Sequence, residues 1–196
     1  AIIKCAGANF TSITSCLDRA GATHELTTNP SVIRQASHVI LPGVGSAEFG
    51  MWQLREYGLD KVIPTLTQPV LGVCLGMQIL GEYSEEGDVA CLGIIPIQTL
   101  KIKGKPDLIV PHMGWDNVLT KRHDPLFDGI TSDDDFYFVH GYAMELQDPY
   151  TLAVCDYGLP LTAAVQKDNF RGVQFHPEKS GAVGAKLIEN FLRISS

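Results

Sequence analysis

The sequence of 196 residues predicts an α/β fold with a mixed, mostly parallel central sheet flanked by helices. In roughly its first 80 residues, short apolar runs alternate with helical patterns, which is the order of parallel strands with covering helices. After Gly93, strand-like runs follow one another, which indicates antiparallel pairing in the later part. The length and a hydrophobic content of 45% suit a single domain spanning residues 1–196.

Strands are predicted where short apolar runs end at glycine, proline or polar residues. The run at 38–41 stops at Pro42-Gly43, and the run at 70–73 leads into a glycine-rich turn. By the same criterion, further strands are expected at 1–5, 94–103, 107–111, 135–139, 151–154, 161–166 and 172–175.

Helices are predicted where apolar residues recur every three or four positions. The clearest case is the last one, in which Val183, Leu187 and Phe191 form one apolar stripe. Helices are expected at 11–20, 47–57, 75–80 and 183–194.

The composition and charge exclude several kinds of protein. A net charge of −7 argues against a broad nucleic-acid-binding face. The five cysteines are odd in number and scattered, with no Cys-x-x-Cys pair, which predicts a cytoplasmic location and no metal site. The uncharged stretch 62–81 has the length that crosses a bilayer, about 20 residues. It contains prolines and glutamines, however, so no membrane span is expected.

The most informative segment is a Gly-x-Cys-x-Gly turn at the end of a predicted strand. Gly72-Val73-Cys74-Leu75-Gly76 has the pattern of a nucleophile elbow with sulfur in place of oxygen. Such a turn places the central side chain at a helix N-terminus, whose partial positive charge favours a thiolate. Cys74 is therefore the candidate nucleophile. The alternative is a small packing residue, which is how we interpret the other four cysteines.

A histidine and a carboxylate follow the last predicted strand, in Phe175-His176-Pro177-Glu178. Side chains two apart in an extended segment point the same way, so His176 and Glu178 can share one face. A histidine that relays protons needs a fixed tautomer, which a carboxylate supplies. His140 competes for the role of base but lacks a carboxylate at this spacing.

Two further segments offer backbone amides that could stabilise an oxyanion. The N–H of Leu75 lies at the start of a predicted helix. Leu41-Pro42-Gly43-Val44-Gly45 follows another strand, and its glycines let the backbone approach a ligand, although an ordinary loop is the alternative. In such a sheet, the elbow and the His-Pro-Glu turn are both expected at the carboxyl ends of strands, where functional sites gather.

Together these motifs resemble those of the class I (triad) glutamine amidotransferases. The elbow with Gln78 and the segment 175–178 are typical of the superfamily. The segments 41–46 and 111–115 narrow the resemblance to the glutaminase subunits of imidazole glycerol phosphate synthases, over essentially the whole chain. The sequence departs from the family at 4–9, where an Asp-Tyr-Gly pattern is usual, and at Gly141, where serine or threonine is common.

The resemblance implies a three-layer, flavodoxin-like fold and the hydrolysis of glutamine to glutamate and ammonia through a cysteine thioester, without a cofactor. It gives Cys74 the role of nucleophile, His176 that of acid and base, and Glu178 that of orienting the histidine. The oxyanion and substrate-binding residues that it implies are Gly43, Val44, Leu75, Gly45 and Gln78.

The resemblance also implies a partner subunit. In the family, a (β/α)8-barrel cyclase forms a heterodimer with the glutaminase and uses its ammonia to make imidazole glycerol phosphate and an aminoimidazole carboxamide ribotide in histidine biosynthesis. In the family the cyclase also activates the glutaminase, so the isolated chain is expected to have low glutaminase activity. The Gly43–Val44 peptide is expected to reorient when the partner binds its ligand. Candidate contacts are Met113 and Trp115, in a predicted loop, and Lys179.

Three other functions stay open at this point. The chain could serve a different synthase, act alone as a cysteine hydrolase, or be a catalytically silent regulatory subunit. The segments 41–45 and 111–115 argue against the first, and the intact Cys74, His176 and Glu178 argue against the last.

Overall fold

The computed structural model describes residues 1–5, 7–104, 106 and 108–195. Its strands are β1 (Ile2–Ile3), β2 (Leu26–Thr27), β3 (Val39–Gly43), β4 (Val70–Cys74), β5 (Tyr83–Ser84), β6 (Val89–Ala90), β7 (Gln98–Lys101), β8 (His112–Asn117), β9 (Leu119–Thr120), β10 (Asp135–His140), β11 (Tyr142–Met144), β12 (Thr151–Asp156), β13 (Pro160–Lys167) and β14 (Phe170–Val173). Its helices are α1 (Phe10–Arg19), α2 (Pro30–Gln35), α3 (Ala47–Glu56), α4 (Leu59–Val62), α5 (Leu75–Gln78) and α6 (Gly181–Arg193). Short 3-10 turns cover Ile63–Thr65, Pro125–Phe127 and Pro177–Lys179.

The central sheet has the strand order β2-β1-β3-β4-β14-β13-β12-β9. Pairing is parallel from β2 to β14 and antiparallel from β14 to β9. The predicted mixed, mostly parallel sheet is thereby confirmed. The antiparallel half comes from the later strands, as the run of strands after Gly93 indicated.

Apolar side chains of the inner strands alternate between the two faces of the sheet. Ile40 packs in one cluster with residues of α1 and α6, whereas Val39 and Leu41 pack in the other with residues of α2, α3 and α4. Because both faces are covered, the inner strands are continuous apolar runs rather than alternating ones. Each such side chain contributes about 1.5–3 kcal/mol by its burial. The result is the predicted three-layer arrangement.

Two smaller sheets hold the segments that do not enter the central sheet. β8 and β10 form an antiparallel ribbon, and β11, β7, β5 and β6 form a four-stranded sheet. The strand expected at 135–139 is therefore present as β10, but in the ribbon. The loop expected at 111–115 was a wrong prediction, since most of it belongs to β8.

Other boundaries also differ from the sequence-based expectation. Of the strand expected at 94–103, only Gln98–Lys101 forms. Asp107, where another strand was expected to begin, lies outside the described residues, and 108–111 contain only an isolated bridge. The short elements that pattern reasoning missed include β2, β5, β6, β9, β11, α2 and α4. α2 has a recognisable start, because the Asn29 side chain accepts a hydrogen bond from the Ser31 N–H and Pro30 follows it.

Two expectations about unusual segments can be compared with the structure. The stretch 62–81 contains a 3-10 turn, β4 and α5, and within the described part of the chain no helix is long and apolar enough to cross a membrane. In the segment 4–9, Ala6 lies outside the described residues. Asn9 caps α1, where its side chain accepts a hydrogen bond from the Ser12 N–H at 3.3 Å.

Candidate active site

Cys74 lies at the sharp turn between β4 and α5. Its backbone has φ 54° and ψ −111°, a conformation that is uncommon outside glycine and costs about 1–3 kcal/mol. A Cβ on Gly72 would lie 2.6 Å from the carbonyl oxygen of Gly76, and a Cβ on Gly76 would overlap the carbonyl oxygen of Leu41. The turn therefore has the strained cysteine and the two obligatory glycines of a nucleophile elbow.

The neighbouring strands bring their carboxyl ends to Cys74. In the register of β3 and β4, Gly43 pairs with Cys74 itself. On the other side, β14 pairs with β4 in parallel, with Val173 opposite Val73. The chain beyond β14 then reaches His176 within three residues of the strand end, so the elbow, the glycine-rich loop and the histidine meet at one edge of the sheet.

His176 and Glu178 form a buried ion pair. The His176 Nδ1 atom lies 2.7 Å from Glu178 Oε1, and both side chains are nearly inaccessible. Burial alone would lower the pKa of His176, but the neighbouring Cys74 and Glu178 side chains outweigh it and raise the pKa to about 9. The His176 Nε2 atom is buried without an aligned hydrogen bond to any described residue. That atom is therefore free to exchange a proton with a ligand or with the sulfur.

A cavity of about 300 Å³ opens beside Cys74. Most of the residues expected at the site line it, namely Val44, Gly45, Cys74, Leu75, Gln78, His176 and Lys179. Glu178 is not among the lining residues and contacts the site only indirectly, through its ion pair with His176. Gly43 packs against Leu75 and Gly76, since a Cβ added to it would lie 3.0 Å from Leu75 Cβ. The cavity has room for a small polar metabolite.

Comparison with known proteins identifies the family of this chain. The class-I glutamine amidotransferase family matches residues 1–194. The chain belongs to this family. It is 50% identical over 196 residues to imidazole glycerol phosphate synthase subunit HisH 2 of Legionella pneumophila strain Paris, with 100% of this chain and 98% of that protein covered.

A second relative and a solved structure agree with this assignment. The HisH subunit of Escherichia coli K12 is 50% identical over 190 residues, which are 95% of each chain. A solved glutamine amidotransferase structure superimposes with a TM-score of 0.76 at 17% identity, over 98% of this chain and 96% of that one. At such low identity the structural likeness supports the fold alone.

The helix that follows Cys74 in this amidotransferase is shorter than expected. α5 has only four residues, Leu75–Gln78, instead of the predicted 75–80. The dipole of a helix comes from aligned peptide units, so a helix this short contributes little positive charge at Cys74. A thiolate at this position must be stabilised mainly by other groups.

His140, the competing candidate for the base, has both ring nitrogens engaged. Its Nδ1 donates to the Tyr142 carbonyl at 2.8 Å, which leaves Nε2 to accept from His112 Nδ1 at 3.2 Å. Burial lowers the pKa of both histidines to about 4. His140 therefore lines the amidotransferase cavity as a neutral group, whereas His176 keeps a free nitrogen beside Cys74.

Gln174 is a residue of the site that sequence reasoning missed. Its side chain is fully buried, and its Nε2 donates to Cys74 Sγ at 3.7 Å. Gln78, a predicted substrate-binding residue, donates through its Nε2 to Gln174 Oε1 and to the Tyr142 carbonyl. A signal for Gln174 existed, because it lies two positions before His176 in extended chain and so points the same way.

The apolar residues expected at a partner interface are more exposed to solvent than core residues. Met113 and Trp115 on β8 are 60% and 58% exposed, which excludes the alternative that they are core residues. The Trp115 ring lies 5.8 Å from the ring of Tyr137 on β10, and Lys179 Nζ lies 5.8 Å from the same tyrosine. Trp115 and Lys179 thus both lie beside Tyr137, whereas Met113 pairs with Val139, which lines the cavity.

The remaining cysteines include one possible metal ligand. Cys155 lies with His112 and Asp116 so that one ligand atom from each falls within 4.8 Å of the others. Burial raises the pKa of Cys155 to about 12, so its thiol stays protonated at neutral pH and is a poor ligand. Cys5 and Cys91 likewise have raised pKa values, about 12 and about 11, because of burial.

Proposed function

We propose that this chain is the glutaminase subunit of an imidazole glycerol phosphate synthase, which hydrolyses glutamine and passes the ammonia to a cyclase. One observation carries the chemistry: the strained Cys74 and the buried His176–Glu178 pair meet at one cavity. The relatives that are 50% identical over 95–100% of the chain supply the choice of synthase.

The first half of the reaction forms a thioester. The Cys74 sulfur attacks the side-chain carbonyl carbon of glutamine, and the carbonyl oxygen becomes an oxyanion. Because the pKa of His176 is raised to about 9, its imidazole is protonated at neutral pH and can give a proton to the departing ammonia. The C–N bond breaks, ammonia leaves, and a glutamyl thioester remains on Cys74.

The second half of the reaction releases glutamate. His176, now neutral, takes a proton from a water molecule that attacks the thioester carbonyl, and the sulfur leaves as a thiolate. Glu178 holds the ring through Nδ1 and stabilises its charged form in each step. The backbone amides of Leu75 and the Gly43–Val44 segment are the proposed oxyanion donors, each worth about 3 kcal/mol.

The proposed partner is a (β/α)8-barrel cyclase in a heterodimer. Free ammonia is mostly protonated at neutral pH and is then no nucleophile, so direct transfer between subunits protects it. Met113, Trp115 and Lys179 are the proposed contacts, and their exposure is compatible with that role. The proposal includes one domain over residues 1–196 and a cytoplasmic location, for which the five unpaired cysteines are suitable.

Replacing the nucleophile tests the proposed chemistry. Cys74→Ala is expected to lose glutamine hydrolysis, measured as glutamate formed in the presence of the cyclase and its nucleotide ligand. Cys91→Ala is the matched control and is expected to retain wild-type turnover, since Cys91 lies outside the cavity. Glutamate formation by Cys74→Ala at the wild-type rate would contradict the proposal.

A further inference from the structure

We propose that Gln174 is a catalytic residue of the glutaminase, which donates an N–H to the Cys74 sulfur and stabilises the thiolate. The inference rests on the proposed function, in which Cys74 is the nucleophile. It starts from the fully buried Gln174 side chain, whose Nε2 lies 3.7 Å from Cys74 Sγ.

The direction of this hydrogen bond is fixed by a backbone carbonyl two steps away. The Tyr142 carbonyl can only accept, so the nitrogen of the Gln78 side-chain amide must lie beside it, at 3.1 Å. The same nitrogen, Gln78 Nε2, lies 2.9 Å from the Gln174 side chain, which must therefore present its oxygen there. That leaves the NH₂ group of Gln174 to face Cys74.

A flipped Gln174 amide would place two NH₂ groups against each other in a buried space. Two donors that face each other cost about as much free energy as a lost hydrogen bond. The hydrogen bonds from Gln78 to Tyr142 and Gln174 therefore hold the Gln174 amide in one orientation. The sulfur consequently always faces a donor. A donor to the charged form favours a thiolate over a thiol.

This donor supplies what the short helix α5 does not. Four residues of helix give little dipole at Cys74, and the charged partner His176 changes its own protonation during the reaction. An amide donor keeps its proton throughout. Gln174 can therefore stabilise the sulfur both before attack and when it leaves the thioester.

The sequence places this donor and the proposed acid–base residue on the same face of one extended segment. In Gly172-Val173-Gln174-Phe175-His176, Gln174 and His176 alternate with Phe175, which is fully buried in the core. One extended segment thus aims two groups at the site and one at the core.

The test is the pH dependence of alkylation at Cys74 in the isolated chain. Iodoacetamide is small and needs no glutamine pocket, so its rate reports the fraction of thiolate. Modification is followed at the Cys74 peptide, which separates it from the other cysteines. Besides Cys74 itself, the titratable side chains that line the same cavity, and must be kept unchanged, are Glu86, His140, Tyr142, His176 and Lys179.

Gln174→Met removes the donor with little change in volume. A hydrogen bond to a charged group is worth roughly one to two pH units, so we expect the midpoint of the alkylation profile to rise by about that much. Glutaminase kcat/KM at pH 7 is expected to fall about 10-fold to 100-fold. Gln174→Glu, which keeps the size but places a carboxylate near the sulfur, is expected to raise the midpoint further.

Gln68→Met is the matched control. Gln68 is another buried glutamine, and its Nε2 donates to the Ile33 carbonyl at 2.8 Å, remote from the cavity. The substitution removes a buried hydrogen bond of a side-chain amide, as Gln174→Met does, but is expected to leave the midpoint of the Cys74 alkylation profile unchanged.

The outcomes separate this inference from the proposed function. An unchanged midpoint in Gln174→Met, or an equal shift in Gln68→Met, would overturn the role of Gln174. If Gln174→Met does not fold, Gln174→Leu, which also lacks the donor and adds no charge, decides by the same readout. The alkylation result stands even if Cys74→Ala keeps its glutaminase activity, in which case the proposed function fails and the thiolate contact remains.

Discussion

At the scale of single residues, the site combines one residue with a strained backbone and one buried charge pair. Cys74 is held at φ 54°, and His176 pairs with Glu178 at 2.7 Å. A buried ion pair stabilises only while both partners are present, since removal of one leaves an uncompensated charge. The proposed chemistry and the local stability therefore both involve the side chains of His176 and Glu178.

Removal of the carboxylate charge from the pair should lower turnover strongly. Glu178→Gln keeps the size of the side chain but no longer stabilises a protonated His176, so the leaving ammonia loses its acid. We expect kcat to fall by about 10²–10⁴-fold. Glu189→Gln on α6, a partly exposed glutamate, is the control for a changed charge and should keep wild-type kcat. Equal activity of the two variants would exclude Glu178 from the mechanism.

The same pair predicts how stability depends on pH. The folded pKa of His176, about 9, lies above the unfolded value near 6.5, so the native state binds more protons between these limits. Its contribution is complete below about pH 6.5 and is lost as the pH rises to 9. We expect the urea midpoint to fall over this range, and to fall less in His176→Gln. A flat wild-type profile would contradict the raised pKa.

Two other buried histidines oppose this trend at lower pH. The pKa values of His112 and His140 are lowered to about 4, so between pH 4 and about 6.5 the unfolded state binds more protons. Stability should rise with pH there. The two effects together place the maximum of stability near neutral pH.

At the scale of secondary-structure elements, the elbow depends on close contact between β3, β4 and α5. The backbone of Gly76 approaches the Leu41 carbonyl so closely that no side chain fits between them. This contact fixes where α5 begins and hence where the Leu75 amide lies. The glycines of the elbow are therefore required by packing, independently of the proposed catalytic role of Cys74.

An added methyl group at Gly76 should be poorly tolerated. Because its Cβ would overlap backbone, which cannot move aside like a flexible side chain, Gly76→Ala is expected to destabilise the fold by at least 3 kcal/mol or to prevent folding. Denaturant titration measures the change. In Gly141→Ala the new Cβ would meet only Pro111 Cβ at 4.0 Å, so this control should unfold within about 1 kcal/mol of wild type. Similar stability of the two variants would argue against the close contact.

At the scale of the whole molecule, the β8–β10 ribbon connects an exposed face to His176. Trp115 pairs with Tyr137 across the ribbon. The Tyr137 carbonyl accepts a hydrogen bond from the His176 N–H at 2.9 Å, and the Tyr137 N–H donates to Ser180 Oγ at 3.0 Å. A partner that docks on Trp115 would therefore lie one residue pair away from the backbone that positions His176.

A single tryptophan on this face should account for much of the proposed binding energy. Trp115→Ala is expected to weaken association with the cognate cyclase by at least 30-fold, because exposed aromatic anchors dominate such interfaces. Titration calorimetry gives the dissociation constant. The matched control is Trp52→Ala on α3, which removes the other tryptophan, 52% exposed, and should leave the affinity unchanged. A larger loss of affinity in Trp52→Ala than in Trp115→Ala would contradict this prediction and would place the interface on α3.

The sequence by itself determined the fold class and indicated the residues that are proposed to carry out the chemistry. Alternating apolar runs and helical patterns depend on local periodicity, and the Gly-x-Cys-x-Gly and His-Pro-Glu motifs are contiguous in the chain, so both can be recognised without coordinates. Cys74, His176 and the lining residues Val44, Gly45 and Gln78 could be named in this way and lie together in the structure.

The tertiary structure decided what depends on residues distant in the chain. Sequence periodicity could not show that 112–117 pairs with 135–140 outside the central sheet, because strand pairing is a non-local choice. It could not show that α5 ends after four residues, nor that Gln174 lies between Gln78 and Cys74. A hydrogen bond between residues about 100 positions apart is created only when strands assemble, and the sulfur acquires its amide donor at that step.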